Sequence, residues 1–266
     1  MADKDTVRDI VRETYGKVAT GQQNGCCSTD RPCSTSPDRL GYSPEQIAAL
    51  PEGADLGLGC GNPQAIASLR PGETVVDLGS GAGFDCFLAS RSVGPTGRVI
   101  GVDMTPEMLA KARSNAAKNK LTNVEFRLGQ IENLPVADNS VDVIISNCVI
   151  NLSPDKPQVF REIFRVLKPG GRVAVADIVR TAELPPEVAA DLGALCGCVA
   201  GAASIEEVEA MLHDAGYQGI RIVPKEASRE FIRNWVPGSN AAEYVVSATI
   251  EAVKPIGACC APSCCQ

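Results

Sequence analysis

From residue 74 to residue 176 the apolar positions follow two alternating rhythms. Short runs dense in Val and Ile, at Thr74–Leu78, Arg98–Val102, Val124–Leu128, Val141–Ser146 and Arg172–Ala176, read as buried strands. Between them, at about 83–93, 106–119 and 156–168, the apolar residues recur at helical spacing. Strand–helix alternation of this kind predicts an α/β fold, a parallel sheet with helices on both faces. A helix over residues 5–20 comes first, with Val7, Ile10, Val11 and Val18 on one face. Ser43-Pro44-Glu45 opens a short helix running to Leu50, with Ser43 as N-cap and Pro44 in the first turn. After the alternating core, helices at about 186–198 and 204–215 and strands near Arg221–Val223 and Tyr244–Val253 complete the pattern. No internal repeat interrupts it.

The punctuation divides the chain. Residues 1–70 hold the first helix and two loops, one rich in Gly, Ser, Thr, Pro and Cys (Gly21–Gly41, read as mobile) and one rich in Gly (Leu56–Pro63). Residues 71–180 form the regular core, and 181–256 hold the later helices and closing strands. Residues 257–266 carry four cysteines, one proline and little that could pack, so a disordered tail is expected.

Composition narrows the function classes. A chain of 266 residues, 44% of them hydrophobic, can bury one large core. Lys+Arg total 25 against 32 Asp+Glu, a net charge of -7, which argues against a nucleic-acid partner. No apolar run reaches membrane-spanning length and the start is polar, so a cytoplasmic protein is expected, and nothing demands more than a monomer. Twelve cysteines are then not staples, because a reducing compartment does not keep them oxidised. Paired zinc-knuckle spacing is missing and the only histidine is His213, read as a surface residue. Buried packing, a redox role and a soft-element site stay open for the cysteines.

The first core strand runs through Asp77-Leu78-Gly79-Ser80-Gly81-Ala82-Gly83 into a helix. Glycines there let the backbone turn tightly and approach a ligand, and their spacing is not that of the dinucleotide fingerprint. Asp77 stands ready to orient a polar group. Asp103 ends the second strand, where an acidic side chain can accept ribose hydroxyls. The third strand leads into Gly129-Gln130-Ile131-Glu132. With Val166-Leu167-Lys168-Pro169-Gly170-Gly171 before the fifth strand, residues 71–180 resemble class I S-adenosylmethionine-dependent methyltransferases. The resemblance implies a Rossmann-like, mostly parallel sheet with one antiparallel strand. It also implies that Asp77, Gly79, Ser80, Gly81 and Gly83 line the methionine part of the cofactor. Asp103 and Met104 would meet ribose and adenine, and Gln130, Ile131 and Glu132 would flank the adenine.

Three cysteines lie where loops reach the carboxyl edge of such a sheet. Cys148 follows Asn147 at the end of the fourth strand, Cys60 sits in the Gly-rich loop before the first, and Cys198 ends the helix after the fifth. Converging thiolates suit a soft, pyramidal element such as trivalent arsenic, whereas a hard cation wants oxygens. Together with Asn24-Gly25-Cys26, Gly59-Cys60-Gly61, Asp85-Cys86, Ser146–Leu152 and Cys198–Ala202, the chain from about residue 7 to 250 resembles arsenite methyltransferases. That resemblance implies As(III) on Cys60, Cys148 and Cys198, with Cys26 or Cys27 as a redox partner that forms a disulfide with Cys60. It further implies a thioredoxin or glutathione reductant, and places Tyr15, Gly16 and Asn147 near S-adenosylmethionine. Arsenite and methylarsenite would be the substrates. The chain departs from the family pattern in doubling Cys26 with Cys27, in offering Cys196 beside Cys198, and in lacking a further C-terminal domain found in larger members. Cys86, Cys33 and the tail cysteines have packing or incidental readings beside redox or delivery ones. Two rival functions are a methyltransferase of another small molecule, such as a quinone or sterol, and a non-enzymatic metalloid binder.

Overall fold

The computed structural model describes residues 3–23, 35–233, 235 and 240–256. Seven strands, β1 Thr74–Leu78, β2 Arg98–Asp103, β3 Val124–Leu128, β4 Val141–Asn147, β5 Leu167–Arg180, β6 Gln218–Lys225 and β7 Val245–Val253, form one sheet of order β3-β2-β1-β4-β5-β7-β6. β1 to β5 are parallel, and β7 runs antiparallel to both β5 and β6. The strand order reverses between β1 and β4, which opens a crevice at their carboxyl ends.

The helices are α1 Lys4–Ala19, α2 Pro44–Ala48, α3 Gln64–Ala67, α4 Phe84–Val93, α5 Pro106–Lys118, α6 Lys156–Val166, α7 Pro186–Ala189, α8 Leu192–Cys196, α9 Ile205–Asp214 and α10 Arg229–Ile232. Side chains alternate across the sheet with period two. Val75, Val99, Val143 and Ile145 pack on Phe87 of α4 and Leu109 of α5. Val76, Val102, Ile144 and Val175 pack on Val159 and Ile163 of α6 and Leu212 of α9. Phe87 and Phe160 are fully buried, each stabilising the fold by roughly 1.5–3 kcal/mol. A third apolar cluster roofs the carboxyl edge. It joins Val11 of α1, Tyr42, Cys60, Cys148, Cys198 and Trp235.

Several elements differ from the sequence reading. β5 continues past Ala176 to Arg180 because β7 pairs with it throughout, from Arg172↔Val253 to Arg180↔Val245. The helix expected over 186–198 is two, α7 and α8, because Asp191 caps a new start by accepting the Ala194 N–H at 2.9 Å. Cys198 therefore lies beyond a helix end at Cys196. The Gly-rich loop 56–63 leads directly into α3. Cys26, Cys27, Cys33 and the tail cysteines Cys259, Cys260, Cys264 and Cys265 lie outside the described residues. Among the described residues, no helix is long and apolar enough to cross a membrane.

Candidate active site

One cleft of about 1280 Å³, its open mouth included, runs along the carboxyl ends of β1, β2 and β4. Tyr15, Asp77, Gly79, Ser80, Gly81, Asp103, Met104, Ile131, Glu132 and Asn147 all line it, together with Cys148 and Cys198. The glycine turn and two of the three expected metalloid ligands thus share a wall. Gly16, Gly83 and Gln130 stand outside the lining. A side chain on Gly16 would press on Glu107 of α5, one on Gly83 would meet the Phe87 ring at 2.6 Å, and Gln130 is exposed.

The turn after β1 fits a small polar cofactor. At Gly79, with φ 65°, a Cβ would come within 2.4 Å of Val149, so only glycine leaves the floor open. The Ser80 hydroxyl is buried against the cleft and has no hydrogen-bond partner. A buried orphan of this kind is rare and points to a bound group that satisfies it. Asp103 accepts the N–H of Gly81 at 2.9 Å and of Thr105 at 2.8 Å, which ties the turn to the end of β2. Burial raises its carboxyl above the usual range, against the pull of these bonds. Glu132 accepts from the Arg8 Nη2 at 3.2 Å and from the Ser153 hydroxyl at 2.8 Å, so α1 is pinned over the cleft. The Tyr15 hydroxyl donates to the carbonyl of Cys196 at 3.0 Å.

Asn147 brings the cysteine loop to the strand. Its Oδ1 accepts the Cys60 N–H at 3.0 Å and its Nδ2 donates to the Gly61 carbonyl at 2.8 Å. Gly59, at φ 114°, is needed because a Cβ would stand 2.9 Å from the Asn147 amide. Behind this amide lies a buried polar knot. Tyr42 donates to Asp85 at 2.9 Å, and Gln64 and Asn147 bond to it more weakly. Burial pushes Asp85 up to about 6. Burial, and then the Asp85 charge, hold Asp77 well above the usual carboxylate range and the Tyr42 phenol well above its own.

Cys60, Cys148 and Cys198 are all buried, and Cys198 meets Cys148 but stands outside the closer grouping of Cys60 and Cys148. The sulfurs of Cys60 and Cys148 and a carboxylate oxygen of Asp177 all lie within 4.8 Å of one another. The Cys198 thiol donates to the Cys148 carbonyl at 3.0 Å. Contacts with Cys198 and then Cys60, followed by burial, raise the Cys148 thiol well above its usual value. For Cys198, the contact with Cys148 pulls the thiol down, but burial and Asp177 outweigh it and the net shift is upward. Both are therefore thiols at neutral pH when no ligand is bound.

Two of the three cysteines occupy left-handed backbone, Cys148 at φ 59° and Cys198 at φ 62°. At Cys198 the cause is a Schellman cap on α8. Val199 N–H bonds to the Ala194 carbonyl and Cys198 N–H to the Leu195 carbonyl, each at 2.9 Å. The left-handed position of that motif usually holds glycine. Here Gly197 precedes it and a cysteine takes it, a choice that costs about 1 kcal/mol and aims the sulfur at Cys148.

The other cysteines separate from this group. Cys86 donates to Asp77 at 3.2 Å, and burial pushes its thiol well up, so it packs behind the glycine turn. Cys196 faces the Thr14 hydroxyl on α1 at 3.7 Å. His213 is exposed on α9, as expected.

Asp177 was not singled out by the sequence. It stands level with Cys148, whose N–H bonds to the Ala176 carbonyl at 2.8 Å. Its carboxylate accepts Ile150 N–H at 2.9 Å, Ile178 N–H at 2.8 Å and Asn151 Nδ2 at 3.0 Å. Burial pushes it up to about 6. A lone Asp near the end of an apolar run was the available signal.

Comparison with known proteins agrees with this geometry. The methyltransferase-domain family matches residues 69–216. An arsenite methyltransferase of Halobacterium salinarum is 55% identical over 96% of this chain and 69% of its own length. One from Aquipseudomonas alcaligenes is 38% identical over 82% of this chain and 64% of its own. The crystal structure of an arsenic(III) S-adenosylmethionine methyltransferase from Chlamydomonas reinhardtii superposes with a TM-score of 0.63 at 33% identity, covering 82% of this chain and 73% of that one. The chain thus spans about two thirds of the length of these curated relatives. A glycine turn and a cysteine cluster that share one cleft, on a sheet of this order, together with a relative at this identity, place the chain in the arsenite methyltransferase family.

Proposed function

We propose that the protein methylates trivalent arsenic, with arsenite held by Cys60, Cys148 and Cys198 and methylarsenite, which has two oxygens to exchange, held by two of them, as a monomer in the reducing cytoplasm. The observation that carries this reading is the buried sulfur group that opens onto the same cleft as the glycine turn. Bound in that cleft, S-adenosylmethionine supplies an electrophilic methyl carbon to a nucleophile approaching opposite its departing sulfur. Asp103, Met104, Ile131 and Glu132 line the end of the cleft away from the cysteines and suit its ribose and adenine, while Gly79, Ser80 and Gly81 suit its methionine part.

The cysteines act on the arsenic. Each Sγ–H gives its proton to an oxygen ligand of arsenous acid, so that an As–S bond forms and water leaves. Three thiolates hold the arsenic as a pyramid, and their electron density strengthens its remaining lone pair as a nucleophile. With Cys60 and Cys198 fixed by Asn147 and the Schellman cap, the lone pair can be aimed along the cleft. Such positioning can be worth about 7–11 kcal/mol of barrier.

Methylation leaves arsenic formally pentavalent. The thiol of Cys26 or Cys27 then attacks the arsenic-bound Cys60 sulfur and gives up its proton: an S–S bond forms as the As–S bond to Cys60 breaks, and that bond's electron pair returns to arsenic, which is trivalent again. Thioredoxin or glutathione reduces that disulfide by thiol exchange. The resemblance to arsenite methyltransferases supports this last part of the reading.

The test is to incubate the reduced chain with arsenite, glutathione and S-adenosylmethionine and to separate the arsenic species. The expected result is methylated arsenic, with Cys148→Ser losing it while still binding the cofactor. Unmethylated arsenite after complete reduction of the enzyme, or normal turnover by Cys148→Ser, would overturn the reading.

A further inference from the structure

Trivalent arsenic needs three donors and keeps its fourth position for a lone pair. The sulfur group offers more than three. The Asp177 carboxylate lies within 4.8 Å of both the Cys60 and Cys148 sulfurs, at the base of the same group. We propose that Cys60, Cys148 and Asp177 form a binding site for a thiophilic, filled-shell divalent cation, zinc or cadmium, with Cys198 closing the tetrahedron, and that such a cation competes with arsenic.

Placement, burial, spacing and charge all support the site. Its three donors come from different parts of the fold: the loop before β1, the end of β4, and β5. All three are buried. Zinc–sulfur and zinc–oxygen bonds of about 2.3 and 2.0–2.2 Å put tetrahedral ligands roughly 3.5–3.8 Å apart, so Cys60, Cys148 and Asp177 need at most about an ångström of closure, and Cys198, beyond that spacing, moves further to join them.

Asp177 is also built as a ligand. Three N–H donors, from Ile150, Ile178 and the Asn151 side chain, fix its plane. A carboxylate has about four lone-pair positions, so one remains, beside the sulfurs. This is the arrangement in which outer hydrogen bonds orient a metal-binding carboxylate. Lys156 is half-buried and within electrostatic reach of Asp177 and Cys198, which offsets the surplus negative charge of such a ligand set. A mixed sulfur–oxygen tetrahedron suits zinc or cadmium, whereas calcium and magnesium want oxygens throughout. The cation site depends on where these side chains lie and not on arsenic being the substrate.

The test uses the full reduced chain with Cys26, Cys27, Cys33, Cys259, Cys260, Cys264 and Cys265 changed to Ser, so that these other thiols do not compete. Cadmium is titrated by equilibrium dialysis, and arsenite is titrated on the same samples. The expected result is one cadmium per chain, displaced by arsenite, with Asp177→Asn weakening cadmium by about tenfold or more and arsenite by much less. Cadmium NMR of the parent chain gives a second readout that needs no change at Asp177. A shift in the mixed sulfur–oxygen range is expected. An all-sulfur shift, failure of the parent to bind cadmium, or equal cadmium affinity in Asp177→Asn would each overturn the proposal. Loss of arsenite binding with an intact, Asp177-dependent cadmium site would instead count against the arsenic reading alone.

Discussion

The side-chain oxygen of Asn147 accepts the backbone N–H of Cys60 at 3.0 Å, joining residues 87 positions apart in the chain. Through this bond the end of β4 sets the place of a loop that has no regular structure of its own. The same amide donates to Gly61 and touches Tyr42 and Asp85, so one side chain connects the cysteine loop to the buried polar knot.

Replacing Asn147 by Ala should therefore free the Cys60 loop. The buried groups left unpaired cost about 1–3 kcal/mol, measurable by urea unfolding. Arsenite affinity should fall by roughly 10–100-fold, the range seen when groups that orient metal ligands are removed.

Left-handed backbone at Cys198 and Cys148 gives a second expectation. Gly and Ala variants at either position all lack the thiol and should all bind arsenite weakly. Their stabilities should differ, with Gly above Ala by about 1 kcal/mol, because Ala keeps the strained Cβ and Gly does not. Equal stabilities would show that the backbone at these positions is not held left-handed.

The orphan hydroxyl of Ser80 separates cofactor binding from folding. Ser80→Ala removes a buried group without a partner, so the free protein should be as stable as the parent or more so. S-adenosylmethionine affinity, read by calorimetry, should fall by about 1 kcal/mol or more.

Asp85 gives stability a definite pH dependence. Burial raises its folded-state value from 3.8 to about 6, so the folded protein holds this proton more tightly than the unfolded chain. Its contribution is fully present below about pH 4 and is lost as pH rises through about 6. Between pH 4 and 7 the parent should therefore lose more stability than Asp85→Asn, by on the order of 2 kcal/mol. Urea unfolding at the two pH values checks this, and a parent and variant with parallel profiles would refute it.

The fold and the glycine turn at one end of the cleft were legible in the sequence because both depend on local patterns. Val75–Leu78 is a buried run, and Gly79 to Gly83 can only be a tight turn. Cys60, Cys148 and Cys198 were legible as residue types at loop positions. The rest depended on contacts across the fold. Asp177 looks like any acidic residue until β4 and β5 align Cys148 beside it. Arg8 on α1 looks solvent-facing until Glu132 meets it. The Schellman cap was hidden because glycine was present one residue early, at Gly197, while Cys198 took the left-handed position. Glu132 and Ile131 line the cleft, whereas Gln130, between Gly129 and Ile131, turns outward.

In the proposed site, one arsenic sits on three sulfurs, from Cys60, Cys148 and Cys198. X-ray absorption at the arsenic edge tests it most directly, on the reduced chain with one equivalent of arsenite. The expected spectrum has three sulfur neighbours and no oxygen in the parent, and Cys148→Ser should lose one of those sulfurs. Retained oxygen ligands in the parent, or the same three sulfurs in Cys148→Ser, would contradict the site.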